Sequence, residues 1–165
     1  MRPLSAALAL AVALSACSGG GAPVARRLPD ARLPTLGGVV GPSLASCPTE
    51  KCLTILVAPW CGVCRAEAPN FISLRHYLDA RGVSSRIVVG LSGDTAAIRK
   101  FAAEFGADTL LDTEGALSSR STPLLLVSDR EGRVLKVVEG FPSALGQAEL
   151  AKYLDLIPDS KEKPI

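Results

Sequence analysis

The pattern of apolar and polar positions changes character at about Leu33. From there to Ile157, short β-rich runs alternate with segments of helical period. Thr35-Leu36-Gly37-Gly38-Val39-Val40, within Leu33 to Leu44, reads as a hairpin turning at the two glycines. Leu53-Thr54-Ile55-Leu56-Val57 is continuous, as expected of a strand covered on both faces. After Pro59-Trp60-Cys61 a helical segment runs to about Arg81, with Phe71, Leu74 and Leu78 on one side and Gly82 placed to end it. Arg86 to Leu91 reads as a second buried strand. Asp94 is placed to cap a helix carrying Ile98, Phe101, Ala102 and Phe105, with Gly106 at its end. Thr109-Leu110-Leu111 is a shorter strand candidate, and Pro123 opens Leu124 to Val127. Asp129-Arg130-Glu131-Gly132 then turns the chain into Val134 to Val138. A last helix is expected from about Ser143, with Leu150, Leu154 and Ile157 on one side.

Strands that alternate with helices imply parallel pairing, and the late hairpin implies an antiparallel pair. The expectation is an α/β fold with a mixed central β-sheet flanked by helices, preceded by an N-terminal β-hairpin. Residues 158–165, with Lys161, Glu162 and Lys163, read as a frayed tail.

The segment before Leu33 has a different logic. Met1-Arg2 precedes an apolar run from Leu4 to Leu14, broken only by Ser5. As a helix those residues would span roughly 16 Å, short of the ~30 Å hydrocarbon core, so they read as a secretory signal. Leu14-Ser15-Ala16-Cys17 resembles the lipobox of bacterial lipoproteins, which implies that Cys17 becomes the lipidated first residue. The alternative is an ordinary cleavable signal with a chance cysteine at its boundary. Ser18-Gly19-Gly20-Gly21-Ala22-Pro23 has no apolar period and reads as a flexible tether. The expected organisation is therefore a signal peptide at 1–16, a tether at 17–32, one domain at 33–157 and the tail.

Composition narrows the function. Lys and Arg number 18 against 16 Asp and Glu, and no basic stripe follows Arg26-Arg27, so no nucleic-acid partner is expected. There are five cysteines and one histidine, His76, without the repeated Cys-x-x-Cys of a zinc site. An odd cysteine count in an exported chain leaves one thiol to explain, and Cys17 would supply it.

Trp60-Cys61-Gly62-Val63-Cys64 carries the chemistry. A Cys-x-x-Cys between a buried strand and a helix is the setting of a redox pair rather than of metal ligands. At a helix start, free backbone N–H groups favour a thiolate on Cys61, the attacking species in disulfide exchange. Cys64, on the same side of the first turn, can resolve a mixed disulfide. A structural disulfide or half a metal site are the competing readings.

These residues resemble the active-site signature of the thioredoxin superfamily, with Val63 in place of the usual proline. Pro69 matches the proline that bends the family's active-site helix. Thr122-Pro123 looks like its cis-proline loop, although an ordinary trans proline opening a strand is the alternative. The resemblance is nearest to membrane-anchored periplasmic proteins of the TlpA/ResA kind, over about residues 33–157. It implies a thioredoxin-like fold, catalysis by Cys61 and Cys64, and substrate binding at Trp60, Thr122 and Pro123. Glu67, in Cys64-Arg65-Ala66-Glu67-Ala68-Pro69, is placed to accept the Cys64 proton, or is a solvated surface carboxylate.

The expected function is a lipid-anchored thiol–disulfide oxidoreductase in the cell envelope, facing the periplasm. It would exchange with cysteines of protein substrates without a cofactor. Gly62-Val63 lacks the histidine of strong oxidases, which favours a reductase. The resemblance implies a membrane electron-donor protein and a possible role in cytochrome c maturation. A copper-delivery or other metal-binding protein of the same fold is the competing reading, though His76 lies roughly 18 Å along the helix from Cys64. Cys47 and Cys52 close a short loop and read as a structural disulfide or as a second redox pair.

Overall fold

A computed structural model describes residues 27–158. The signal segment, Cys17 and the tail beyond Pro158 lie outside the described residues. The strands are β1 (Arg32–Pro34), β2 (Val40–Ser43), β3 (Lys51–Val57), β4 (Ser84–Val89), β5 (Leu110–Leu111), β6 (Leu124–Asp129) and β7 (Val134–Glu139). The helices are α1 (Gly62–Ala66), α2 (Ala68–Asp79), α3 (Thr95–Ala102) and α4 (Gln147–Tyr153). β1 and β2 form the expected antiparallel hairpin, with Gly38 at φ 87° in its turn. The other five make one mixed sheet in the order β5-β4-β3-β6-β7.

β3 is the middle strand, parallel to β4 and antiparallel to β6. Its side chains leave the sheet alternately on two sides. Leu53, Ile55 and Val57 enter a core with Phe71, Leu74 and Leu78 of α2, Ile98 and Phe101 of α3, and Leu150 of α4. Leu56 points the other way, with Val88, Leu124 and Leu126, into a second cluster. Among the described residues, no helical one belongs to that second cluster. Leu28, Leu33, Leu44 and Leu117 cover it from extended or loop segments.

Three boundaries differ from the sequence expectation. The folded part begins before Leu33: Arg27 bridges to Arg133, the Leu28 N–H donates to the Gly132 carbonyl at 2.8 Å, and Leu28 is 3% exposed. Burial of that leucine over the sheet fixes a stretch that polar neighbours would leave free. Gly132 is required there, because a Cβ on it would lie 2.6 Å from the Ala45 carbonyl oxygen. Second, the bend expected from Pro69 is a full break: the segment after Cys61 is two helices that meet at Glu67. Pro69 has no N–H to donate to the Arg65 carbonyl and its ring crowds that group. Third, the last helix begins at Gln147 rather than near Ser143. The Phe141–Gly146 stretch forms turns, and the Gly146 N–H donates to Glu149 Oε2 at 3.2 Å. Leu154 caps that helix, and Ile157 packs on the core beyond its end.

Arg86 crosses from β4 to the end of β2 and the segment after it. It donates to Thr54 Oγ1 at 2.8 Å and to the carbonyls of Ser43, Leu44 and Ser46. Burial pushes its pKa down to about 10, which leaves it cationic at neutral pH.

Leu28→Ala should cost about 2–4 kcal/mol, the usual range for truncating a buried leucine. Urea unfolding measures it; a loss below about 0.5 kcal/mol, the range of a surface change, would place Leu28 outside the fold.

Candidate active site

The dithiol motif sits where β3 ends and α1 begins. Cys61 is the N-cap of α1, with extended backbone at φ −82° and ψ 109°. Its Sγ accepts the Cys64 N–H at 3.1 Å, a bond that favours negative charge on that sulfur. The two cysteines are joined in a disulfide with their Cα atoms 5.2 Å apart. Cys61 is 5% exposed and Cys64 is fully buried, so an incoming group meets Cys61 first.

The antiparallel register of β3 and β6 brings Thr122 and Pro123 against the pair. The Thr122–Pro123 peptide is cis. The Thr122 carbonyl oxygen lies 3.4 Å from Cys61 Sγ, and its hydroxyl lies 3.4 Å from Cys64 Sγ. That hydroxyl also donates to the Leu56 carbonyl at 3.2 Å, which ties the loop to β3.

Two side chains hold the approach to Cys61. Arg65 donates to the Pro59 carbonyl from Nε at 3.1 Å and Nη2 at 2.6 Å, while its guanidinium lies over the Phe101 ring at 5.2 Å. Trp60 is 63% exposed, yet its indole N–H donates to the Leu91 carbonyl at 2.7 Å. Leu91 is in the left-handed region at φ 57°, a conformation that costs a non-glycine residue of order 1–3 kcal/mol.

Glu67 is half-buried where α1 gives way to α2. Its carboxylate accepts from Asn70 Nδ2 at 2.7 Å, and among the described residues neither active-site sulfur hydrogen-bonds to it. Cys47 and Cys52 form a second disulfide, buried, with Cα atoms 5.7 Å apart. Cys52 stands at the opposite end of β3, about 16 Å along the strand from Val57 at 3.3 Å per residue. The fold therefore brings Trp60, Cys61, Cys64, Thr122 and Pro123 together and keeps Cys47–Cys52 apart. His76 is exposed on α2, and among the described residues no three His, Cys, Asp or Glu side chains converge as a metal site.

Sequence reasoning passed over three residues near the site: Arg65, Leu91 and Asp112. Asp112 is buried at the end of β5, where its carboxylate accepts the N–H groups of Ala116 at 2.7 Å and Leu117 at 2.8 Å. Its signal is an aspartate directly after an apolar run and before a glycine turn, the usual position for a side chain that closes a loop. An open cleft of about 380 Å³ runs between Leu91–Gly93 and Asp112–Ser119. A larger one of about 520 Å³ lies at the opposite pole, lined by Thr49, Lys51 and Leu156, and is remote from the dithiol.

No protein-family model matches the chain, and no curated protein matches it. Solved structures do. The pneumococcal exposed lipoprotein thioredoxin Etrx1 of Streptococcus pneumoniae superposes with a TM-score of 0.62 at 21% identity, covering 78% of this chain and all of that one. A putative thiol:disulfide interchange protein DsbE from Chlorobium tepidum gives 0.59 at 26% identity, over 79% of this chain and 94% of the other. A secreted Mycobacterium tuberculosis disulfide oxidoreductase gives 0.58 at 19%, over 78% and 96%. The mixed sheet, the bent helix after the paired cysteines and the cis-proline opposite them agree with these likenesses: the chain has the thioredoxin-like fold.

Proposed function

We propose that the protein is a thiol–disulfide oxidoreductase acting on cysteines of other proteins. The observation that carries this reading is the Cys61–Cys64 pair itself. One sulfur is reachable and accepts a backbone N–H, the other is buried, and both lie against a cis Thr122–Pro123 peptide. In the reducing direction the Cys61 thiolate attacks a substrate disulfide, forms a mixed disulfide and expels one substrate thiolate. Cys64, losing its proton, then attacks Cys61 Sγ and releases the second substrate thiolate. Two electrons pass to the substrate, and the protein is left with the Cys61–Cys64 disulfide. A donor dithiol must reverse this for a second turnover.

Trp60, Thr122 and Pro123 line the approach and are proposed to dock the substrate chain. The role proposed for Glu67, accepting the Cys64 proton, requires its carboxylate to exchange Asn70 for Cys64. Gly62 and Val63 between the cysteines support a reductase. The signal segment and Cys17 support a lipid anchor and an envelope location, where a membrane protein would supply electrons. Two of the structural relatives are described as an exposed lipoprotein and as a secreted protein, in keeping with that location. Cys47–Cys52 is proposed as a structural clasp, since it is buried and distant from the reactive pair.

Reduced wild-type protein should reduce a protein disulfide, Cys61→Ser should abolish the reaction, and Cys64→Ser should accumulate mixed disulfides visible on non-reducing gels. Equal turnover by Cys61→Ser and wild type would sink the assignment. Thr122→Val removes a hydroxyl oxygen that can accept the Cys64 S–H of the reduced pair while its own proton stays on the Leu56 carbonyl; the disulfide has no such proton to give. The Cys61–Cys64 potential should therefore fall by roughly 10–30 mV, measured against a dithiothreitol buffer, with Thr122→Ser close to wild type. Replacing Cys47 and Cys52 together by serine should keep exchange intact and lower stability by about 2 kcal/mol, the loop-closure value for so short a ring.

A further inference from the structure

Asp112 takes no part in the exchange chemistry, yet it is a buried carboxylate packed against Gly90, next to the residue that bonds the Trp60 indole. Its oxygens are each held by a backbone N–H, from Ala116 and Leu117, so the side chain cannot swing. Its own N–H donates to the Val89 carbonyl at 2.9 Å. Next to Val89, Gly90 is pressed directly onto it: a Cβ on Gly90 would lie 2.9 Å from Asp112 Cβ and 3.4 Å from its Oδ2. Gly90 is fixed from the other side by its N–H to the Val57 carbonyl at 3.0 Å. The chain leaves this seat through Leu91 in the left-handed conformation, and the Leu91 carbonyl receives the Trp60 indole N–H.

Each contact in that series has one consequence for the next. The amides of 116 and 117 hold the Asp112 carboxylate. The carboxylate-bearing side chain fixes how close Gly90 can come. The seat of Gly90 sets the direction of the Leu91 carbonyl. That carbonyl is the polar partner of an otherwise exposed indole, which stands next to the reachable cysteine. We propose that Asp112 is a positioning residue for substrate docking: acting through Gly90 and Leu91, it holds Trp60 in place beside Cys61. This rests on the oxidoreductase reading above. It adds that the docking surface is set by a residue distant in sequence, directly after β5.

Trp60 is the single tryptophan of the chain, so its emission reports on its own position. Asp112→Asn keeps the shape and one amide acceptor but sets an N–H donor against the other amide. Expected for the folded variant are a shifted Trp60 emission and a KM for a protein disulfide raised about tenfold. That corresponds to roughly 1.4 kcal/mol at 25 °C. The kcat should stay within about twofold, as should the rate with a small aromatic disulfide that needs no docking surface. In a Trp60→Phe background, which lacks the indole N–H, Asp112→Asn should raise KM by less than about twofold. Gly90→Ala, whose Cβ presses directly on the Asp112 side chain, should reproduce the emission shift and the KM rise.

Folded Asp112→Asn and Gly90→Ala proteins with wild-type KM and wild-type emission would overturn the proposal. So would a KM effect undiminished in the Trp60→Phe background, or an equal loss with the small disulfide. If wild type exchanges with neither disulfide, the oxidoreductase reading itself fails. Normal exchange by wild type with unchanged variants removes only the role of Asp112.

Discussion

The pairing of β3 with β6 is the constraint on which the site depends. Leu56 pairs with Leu124 in the antiparallel register, while the same residue pairs with Val88 in the parallel one. One strand thus carries partners of both senses, and its C-terminal end meets the first residues of β6. Cys61 comes four residues after Val57, and Thr122 two residues before Leu124. Groups 61 positions apart in sequence are brought within contact by main-chain hydrogen bonds rather than by their own affinity. Shifting the register by one residue would also turn every inward side chain of β3 outward, so the core and the site are specified together.

Much of this was legible because burial writes a period into a sequence. Phe71, Leu74 and Leu78 recur at helical spacing because that side of α2 meets the sheet, and all three are fully buried. The cysteine pair was legible for another reason: its parts are contiguous, so a local motif contains the chemistry. What escaped is non-local or conformational. Leu28 belongs to no periodic run, and its burial depends on where the β6–β7 turn lies. Nothing in the identity of a leucine signals a φ of 57° at position 91. Arg65 reads as a solvated charge, because its partner is the backbone of Pro59. Glu67 follows Cys64 by three residues, a spacing that does not reveal Asn70 as the partner its carboxylate takes.

The two faces of the sheet are closed by different means. On the helical side, Phe71 meets Phe141 edge-on with ring centroids 4.8 Å apart, and Phe101 meets Phe105 at 5.1 Å. Phe71 also meets Phe105 at 6.4 Å, tilted, and that ring contact ties α2 to the chain just beyond α3. The opposite side is covered by leucines from the hairpin, the N-terminal stretch and the loop after β5. Arg86 stitches that cover to the sheet through the carbonyls of Ser43, the last residue of β2, and of Leu44 and Ser46 beyond it. A single cation thereby satisfies backbone acceptors where the hairpin leaves off.

The docking of Leu28 onto the Gly132 turn also decides how force would travel through the molecule. A pull on the chain ahead of Arg27 enters at the pole where β6 ends and β7 begins. It meets the Leu28–Gly132 hydrogen bond and a buried leucine before any strand of the main sheet. The reactive pair lies beyond the far end of β3, with the length of the strand in between. Load applied ahead of Arg27 would therefore peel the leucine cover first and reach the cysteines last, so tension there need not disturb the geometry of sulfur exchange.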